Sequence, residues 1–266
     1  PVLNLFVPTF QWRKDLPDAR IPEMFQLMVD EKLLNLLEGL IGPEVAASPI
    51  YHVNMKLSHD HLKLADQVAS SLGTDLSQEG FYTFQVGKTG WHMDAISGIP
   101  DSHESDIINA WIPITHATEA NGCLIVIPGS HKWNLLRGQR GTDNKVHTLE
   151  EVEQRCYPVA LPMRPGDILL FSNLTFHTSK LNSSNSVRWS VDLRYVVPPQ
   201  AQRLTEQQRR GYDSLKTHYR VEPITVRSRQ PEKIASLAQL QGFARYYASQ
   251  RTAVVKSHVG GIAPPA

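Results

Sequence analysis

Apolar residues near the start of the chain recur at the spacing of an amphipathic helix. From Met24 to Leu40 they fall mostly three or four positions apart, and Pro22 suits a first helical turn. Gly42-Pro43 then interrupts the pattern, because proline cannot continue a helix. The pattern predicts one helix over about 21–40.

The following segment changes to the alternation that is typical of a strand. Residues 50–57 alternate apolar and polar positions, and this places three polar side chains on one face: His52, Asn54 and Lys56. A second helix is predicted over 60–72, where Gly73 would end it, and a second strand over 81–86.

Turn signals divide the middle of the chain into short strands. Asn121-Gly122 is a strong hairpin signal, and it separates a strand ending near Thr118 from the apolar run 123–127. These two strands are therefore predicted to pair antiparallel. A second turn at 165–167 (PGD) precedes 168–171, a short apolar run typical of a buried strand.

The last part of the chain is predicted to be helical and is basic. Two helices are predicted, over 204–217 and 231–249, with an extended segment over 223–229 between them. Residues 198–266 carry eleven Lys or Arg against four Asp or Glu. This charge is either a solvated helical face or a basic cover that attracts an anionic substrate. The arginines of such a cover would be Arg209, Arg210, Arg220, Arg227 or Arg229.

Length and composition indicate one sizeable domain. The 266 residues are 41% hydrophobic, which is enough for a single large core, and no repeat or low-complexity linker divides them. No apolar stretch reaches the 18 residues expected of a membrane span, and the two cysteines do not make a disulfide framework. We therefore expect a cytoplasmic protein that binds neither a membrane nor a nucleic acid.

Three residues form a candidate set of metal ligands. His92 and Asp94 stand two positions apart, so on a strand both side chains project from the same face and reach one ion. His177 can supply a second imidazole, and two histidines with one carboxylate bind non-haem iron while leaving coordination positions open. The alternative interpretation is a hydrogen-bonded His–Asp pair in a loop and an unrelated core histidine.

Arg188 and Ser190 add a candidate anion site. A guanidinium binds a carboxylate through two parallel hydrogen bonds and stays charged at neutral pH. Ser190 shares the strand face of Arg188. A zinc hydrolase would use the same types of metal ligand, but it would leave Arg188 and Ser190 without a role.

Several sequence blocks around these residues carry a resemblance to a known family. They are residues 109–115 (NAWIPIT), 117–132 (ATEANGCLIVIPGSHK), 161–171 (LPMRPGDILLF) and 187–195 (VRWSVDLRY). The segment from Gly42 to Tyr195 resembles the phytanoyl-CoA dioxygenase family, because these blocks occur in it in the same order as in that family.

The resemblance implies a mainly β fold with flanking helices, namely a double-stranded β-helix, the cupin-like jelly roll. It implies a single domain over 1–266. The N-terminal part to about 47 would be helical, the jelly-roll core would span about 48–197, and the basic extension over about 198–266 would again be helical. The metal would lie inside the mouth of the barrel.

The resemblance also implies roles for single residues. His92, Asp94 and His177 would bind Fe(II), and Arg188 would bind the distal carboxylate of 2-oxoglutarate. Three further residues match positions that line the cofactor: Ser179, Trp111 and His52. Ser190 would be an additional hydrogen-bond donor to the cofactor. The alternatives are core packing for Trp111 and an ordinary strand histidine for His52.

The activity implied by the resemblance is oxidation of a small molecule with 2-oxoglutarate and O2 as co-substrates, releasing succinate and CO2. Hydroxylation of an unactivated carbon in a secondary metabolite is the expected outcome, and Lys56 would either contact this substrate or carry a solvated charge. Asp94 argues against halogenation, because related halogenases lack a carboxylate there. Desaturation, ring closure, an acyl-thioester substrate and a noncatalytic metal- or ligand-binding module stay open as alternatives.

Overall fold

Two antiparallel sheets and four helices are seen in the computed structural model, which describes residues 22–49, 51–71, 89–94, 104–132, 157–219, 222–236 and 238. The helices are α1 (Pro22–Met28), α2 (Glu31–Ile41), α3 (His59–Ser71) and α4 (Glu206–Tyr219). The strands are β1 (Val45–Ala47), β2 (His52–Lys56), β3 (Thr89–His92), β4 (Ile108–Pro113), β5 (Leu124–Val126), β6 (Val159–Leu161), β7 (Leu169–Ser172), β8 (His177–Ser179), β9 (Arg188–Val196) and β10 (Ile224–Arg227). Within these ranges no helix has the length and apolar character needed to span a bilayer.

Strand β9 lies at the centre of the larger sheet. This six-stranded sheet has the order β10-β1-β9-β4-β7, and β2 pairs with the first half of β9 on the same edge as β1. The smaller sheet has the order β3-β8-β5-β6. The paired strands run antiparallel in both sheets. The described structure is mainly β, as the resemblance implied.

The first two helices cover the outer face of the larger sheet. Val191, Leu193 and Tyr195 alternate along β9 and form one buried cluster with Leu33 of α2. Full burial of each such side chain stabilises the fold by about 1.5–3 kcal/mol. The hydroxyl of Tyr195 also donates a hydrogen bond to the Met28 carbonyl at 2.9 Å, which ties α1 to the central strand.

A second apolar cluster joins the two sheets face to face. Trp111 and Phe171 come from the larger sheet, and Leu124 and Ala160 come from the smaller one. Polar side chains on the inner face of either sheet are therefore enclosed between them.

The N-terminal helix differs from the single helix predicted over 21–40, because it is divided at Asp30. The backbone of Asp30 is not helical, and its carboxylate accepts hydrogen bonds from the N–H groups of Lys32 and Leu33, both at 3.1 Å. This N-cap starts α2 as a separate helix. Gly42 ends α2 with a φ of 97°, in the left-handed region that favours glycine.

The predicted hairpin at Asn121-Gly122 is wrong, although the turn itself forms. The Asn121 side chain accepts from Thr118 N–H and donates to His116 C=O, and Gly122 has a φ of 87°. The chain leaves the larger sheet after Pro113, and β5 joins the smaller sheet between β6 and β8. The turn therefore connects two sheets rather than two paired strands.

The sheet extends beyond the limits of about 48 and 197 that were expected for the core. Strand β1 begins before the first limit, and β10, within the segment predicted to be extended over 223–229, pairs with it antiparallel. The predicted helix over 204–217 corresponds to α4. Pro231–Lys233 is a short 3-10 turn, and most of the predicted helix over 231–249 lies outside the described residues, as does the predicted strand over 81–86.

Helix α4 approaches the chain before β4 at very short range. A Cβ added at Gly211 would lie 2.2 Å from the carbonyl oxygen of Asp106, and Asp106 N–H donates to Gln207 C=O at 2.9 Å. Only a residue without a side chain fits this contact. By contrast, nothing lies within 4 Å of a Cβ added at Gly39 in α2.

We expect opposite effects from the same substitution at these two glycines. Gly211→Ala should lower the free energy of unfolding by about 1–3 kcal/mol, because the new methyl group meets backbone atoms that cannot rotate away. Gly39→Ala should raise it by about 0.5–1 kcal/mol, because alanine is the better helix former. Urea unfolding of both variants measures the two changes. Equal stabilisation by both would contradict the close contact of α4.

Candidate active site

Three metal-ligating side chains meet at the ends of β3 and β8. His92 is the last residue of β3 and lies directly opposite His177, the first residue of β8, in the antiparallel pairing. One ligand atom from each of His92, Asp94 and His177 lies within 4.8 Å of the other two, a set that could hold one metal ion. The sequence had suggested that His92 and Asp94 project from the same face of one strand. Instead β3 ends at His92, and Asp94 reaches the site from beyond the strand.

His177 is held as a neutral imidazole. Its side chain is buried, and Nδ1 lies 2.9 Å from the Thr175 carbonyl oxygen, which can only accept a hydrogen bond. Nδ1 therefore carries the proton and Nε2 has the free lone pair. Burial, together with the neighbouring His92, lowers the pKa of His177 to about 4. The ring is thus in its metal-binding form at neutral pH.

Asp94 is held as a carboxylate. Burial alone would raise the pKa of this carboxyl, but the positive charge of Arg194 and the nearby histidines His177 and His92 outweigh that effect and hold the pKa well below its usual range. Asn109 Nδ2 donates a hydrogen bond to Asp94 Oδ2 at 2.7 Å, and Arg194 Nη2 lies 3.5 Å from the same oxygen. An ionised carboxylate is the form that binds a cation.

Arg188 lies in a buried polar pocket on the inner face of β9. Its side chain is only 2% exposed, and Nη1 donates to Ser190 Oγ at 2.6 Å. The guanidinium carbon lies 5.4 Å from the ring centre of Trp111, and Nε has no hydrogen-bond partner among the described residues. Burial lowers the pKa of Arg188 to about 10, with the Asp192 carboxylate opposing this, so the group stays charged at neutral pH.

This pocket adjoins the metal ligands through β4. Asn109 and Trp111 stand two positions apart on that strand and share a face, about 6.6 Å apart along it. The first contacts Asp94 and the second contacts Arg188. A small molecule could therefore touch the metal and the guanidinium at the same time.

Lys56, for which the sequence left open a substrate contact or a solvated charge, is a second buried cation of the site. It is directly opposite Arg188 in the pairing of β2 with β9, and it is only 3% exposed. Its Nζ donates to the Lys180 carbonyl at 3.0 Å. Burial and the charge of Arg188 lower the pKa of Lys56 to about 7. The alternation of 52–56 was the available signal, but it did not show that the inner face is enclosed.

The two remaining candidates lie in different parts of the site. Ser179 is buried on β8 two residues after His177, and so shares its strand face. His52 Nδ1 lies 3.4 Å from Nη1 of Arg194, the arginine that also contacts Asp94. In the pairing of β2 with β9, His52 is opposite Asp192 and not Arg188.

Sequence reasoning gave no role in the site to four polar residues of this inner face: Asn54, Asn109, Asp192 and Arg194. Asn54 Nδ2 donates to Asp192 Oδ2 at 2.5 Å, and burial raises the pKa of Asp192 to about 6. Asp192 and Arg194 continue the period-two series that begins with Arg188 and Ser190. That alternation was the signal that could have identified them.

Two of the arginines suggested as a basic cover form ion pairs with carboxylates of the protein. Arg227 forms ion pairs with Glu31 and Glu38 of α2, with its nitrogens 2.6 and 2.7 Å from their carboxylate oxygens. Arg210 pairs with Glu104 and Glu206. Both guanidinium groups are thus engaged with carboxylates of the protein. The basic-cover hypothesis stays a prediction, and Arg220 lies outside the described residues.

Comparison with solved structures shows a similar fold in a non-heme monooxygenase. A non-heme monooxygenase, ThoJ in its apo form, superposes with a TM-score of 0.50 at 15% sequence identity. The match covers 89% of this chain and 76% of that one. At this identity the likeness concerns the fold alone.

Curated relatives match over a shorter stretch. The probable phytanoyl-CoA dioxygenase of Caenorhabditis elegans is 30% identical over 92 residues, which are 33% of this chain and 30% of the relative. The peroxisomal phytanoyl-CoA dioxygenase of Homo sapiens is 30% identical over 95 residues, which are 34% of this chain and 28% of the relative. The chain thus matches less than a third of the length of either relative.

A family model described as phytanoyl-CoA dioxygenase (PhyH) matches residues 23–190, well over half of the chain. The matched region contains His92, Asp94, His177, Arg188 and Ser190. The chain therefore belongs to the phytanoyl-CoA dioxygenase (PhyH) family.

Proposed function

We propose that this protein is a non-haem Fe(II)- and 2-oxoglutarate-dependent dioxygenase that oxidises a small molecule. The observation that carries the proposal is the position of a buried guanidinium beside a cluster of two histidines and one aspartate. The cluster of histidines and aspartate suits Fe(II), and the guanidinium suits a carboxylate of 2-oxoglutarate. Strand β4 connects these two parts of the site.

The metal ligands suit ferrous iron. Two imidazoles and one carboxylate are the donor set of non-haem iron oxygenases, and they leave positions open for other ligands. His177 presents an unprotonated Nε2, and Asp94 is ionised, so neither has to lose a proton to bind the metal at neutral pH.

The pocket around Arg188 suits the distal carboxylate of 2-oxoglutarate. Two buried cations, Arg188 and Lys56, repel one another, and this arrangement is costly unless an anion binds between or beside them. Arg188 has a buried N–H group that no described residue accepts, and Ser190 Oγ holds one edge of the guanidinium in place. A carboxylate would satisfy both the charge and the free donor.

The protein's part in the reaction is to hold and orient. When bound, iron and 2-oxoglutarate supply the oxidation of substrate by O2, with release of succinate and CO2. His92, Asp94 and His177 fix the metal, and the Thr175 carbonyl keeps the proton of His177 on Nδ1. Phe171 makes a T-shaped contact with His177, with ring centres 5.0 Å apart, and so keeps water from that side of the imidazole.

We propose hydroxylation of a secondary metabolite as the net reaction, on a jelly-roll scaffold. Asp94 occupies the position at which related halogenases lack a carboxylate, which favours hydroxylation over halogenation. Desaturation and ring closure are alternative reactions of the same site, and which reaction occurs depends on how the substrate is held. An acyl thioester is the alternative substrate. A noncatalytic ligand-binding module is the main alternative.

Two substitutions should separate metal binding from 2-oxoglutarate binding. In an anaerobic titration, Fe(II) with 2-oxoglutarate should produce a weak visible charge-transfer band. His177→Ala should lose it through loss of the metal. Arg188→Met should keep metal binding but weaken 2-oxoglutarate binding about 30-fold or more, since removing one partner of a buried charged hydrogen-bonded pair costs roughly 2 kcal/mol or more.

Arg209→Met is the matched control, because the Arg209 side chain is 57% exposed. It should leave both affinities unchanged. Folded wild-type protein that gives neither the band nor any consumption of 2-oxoglutarate would contradict the proposed function and favour the noncatalytic module.

The affinity for 2-oxoglutarate should also depend on pH through Lys56. The charged form attracts the carboxylate, and the pKa of about 7 means that this charge is lost as pH rises above 7. Wild-type affinity should therefore fall by up to about tenfold per pH unit between pH 7 and 9. Lys56→Met should bind more weakly at pH 7 and show a flat profile. Isothermal titration calorimetry measures both.

Lys180→Met serves as the control, because this exposed lysine pairs with Glu119 and should leave the pH profile unchanged. The same slope in wild type and Lys56→Met would show that Lys56 does not bind the co-substrate.

A further inference from the structure

We propose that Asn109 is a positioning residue that, with Arg194, holds Asp94 as a one-oxygen ligand of the metal. This inference rests on the proposed function, because it concerns the way in which the carboxylate meets iron. Neither Asn109 nor Arg194 is itself a metal ligand.

The two oxygens of Asp94 have different surroundings. Oδ2 accepts a hydrogen bond from Asn109 Nδ2 at 2.7 Å and lies 3.5 Å from Arg194 Nη2. Oδ1 lies 3.7 Å from His92 Nε2, on the side of the other metal ligands. Oδ2 is therefore held by two donors of the larger sheet, while Oδ1 is the oxygen that lies near the ring nitrogen of a second metal ligand.

Strand pairing explains why two donors converge on the same oxygen. Asn109 and Arg194 are directly opposite each other in the pairing of β4 with β9. Side chains in such pairs share a face and start about 4.5–5.5 Å apart at Cβ. On the other edge of β4, Asn109 is opposite Phe171, whose ring contacts His177. One row across three strands thus supports both Asp94 and His177.

The Asn109 amide is oriented so that its NH2 group donates to Asp94. The side chain is 2% exposed, and its Oδ1 has no hydrogen-bond partner among the described residues. Reversing the amide would place this oxygen 2.7 Å from the Asp94 carboxylate, which would be repulsive. An unsatisfied buried carbonyl is unfavourable for folding, so the donor at Asp94 is retained at a cost to stability.

The consequence lies in the number of open coordination positions. A metal bound through one atom each of His92, Asp94 and His177 would keep more coordination positions open than one that also bound Asp94 Oδ2. Holding Oδ2 away from the ion would therefore preserve room for the co-substrates. Outer hydrogen-bonding partners of metal ligands commonly contribute to affinity in this way.

Cobalt(II) binding to the apoprotein tests the proposal without any need for activity. Leucine has a volume similar to that of asparagine and no hydrogen-bond donor. Asn109→Leu should therefore raise the Kd for cobalt about 10- to 100-fold. Infrared difference spectra, metal-loaded minus apo, should show a wide separation of the two carboxylate stretching bands in wild type. The separation should narrow in Asn109→Leu, as Asp94 begins to bind through both oxygens.

Asn121→Leu is the matched control for a purely structural asparagine. Asn121 is also buried, but its amide is satisfied within the turn before β5 by His116 C=O and Thr118 N–H. This variant should lower the unfolding temperature and leave the cobalt Kd and the infrared bands unchanged. Asn109→Leu should show the reverse, with altered metal binding and no loss of apoprotein stability.

The possible results separate this proposal from the function on which it rests. If wild type and Asn109→Leu bind cobalt with equal affinity and equal band separation, while His177→Ala does not bind, the positioning role is wrong and the metal site stands. If wild type does not bind cobalt at all, both are wrong. Should Asn109→Leu fail to fold, Asn109→Ser replaces it, and a narrow band separation in wild type alone would still overturn the proposal.

Discussion

The rest of the structure depends on strand β9, which must place apolar side chains on one face and charged side chains on the other. Val191, Leu193 and Tyr195 enter the apolar core beneath the helices, whereas Arg188 and Arg194 face the enclosed space between the sheets. Successive strand residues point to opposite faces, so a slip of one residue in register would bury guanidinium groups in the apolar core. The apolar pattern of one face therefore fixes the position of the polar site on the other.

The site concentrates charged groups in a place where charge is costly. Arg188 and Lys56 are both almost fully buried, and burial lowers the pKa of each. Close by, His177 is neutral and Asp94 is ionised, because the environment moves their pKa values in directions that suit metal binding. These groups do little for stability without their ligands, and the apolar clusters on either side of the larger sheet offset their cost.

Local patterns predicted where most elements lie, but not which of them pair. The turn residues Asn121 and Gly122 behave as their chemistry dictates, yet the strands around them belong to different sheets. Asp30 interrupts an otherwise continuous helical pattern, because its carboxylate caps the next helix. At the turn the local signal was correct, and the strand partners, decided by packing, were not visible in it. At Asp30 the apolar spacing alone hid a break that the capping carboxylate makes.

The sequence by itself determined the chemical groups of the site and their order along the chain. Recognisable short motifs contain them: His92 stands close to Asp94, and Arg188 stands close to Ser190. Only the tertiary structure decided which distant side chains meet them. Asn109 reaches Asp94 because β4 lies between β9 and β7, and Lys56 meets Arg188 because β2 pairs with the start of β9. Such registers join segments far apart in sequence through long-range packing, which leaves no periodic trace in either segment alone.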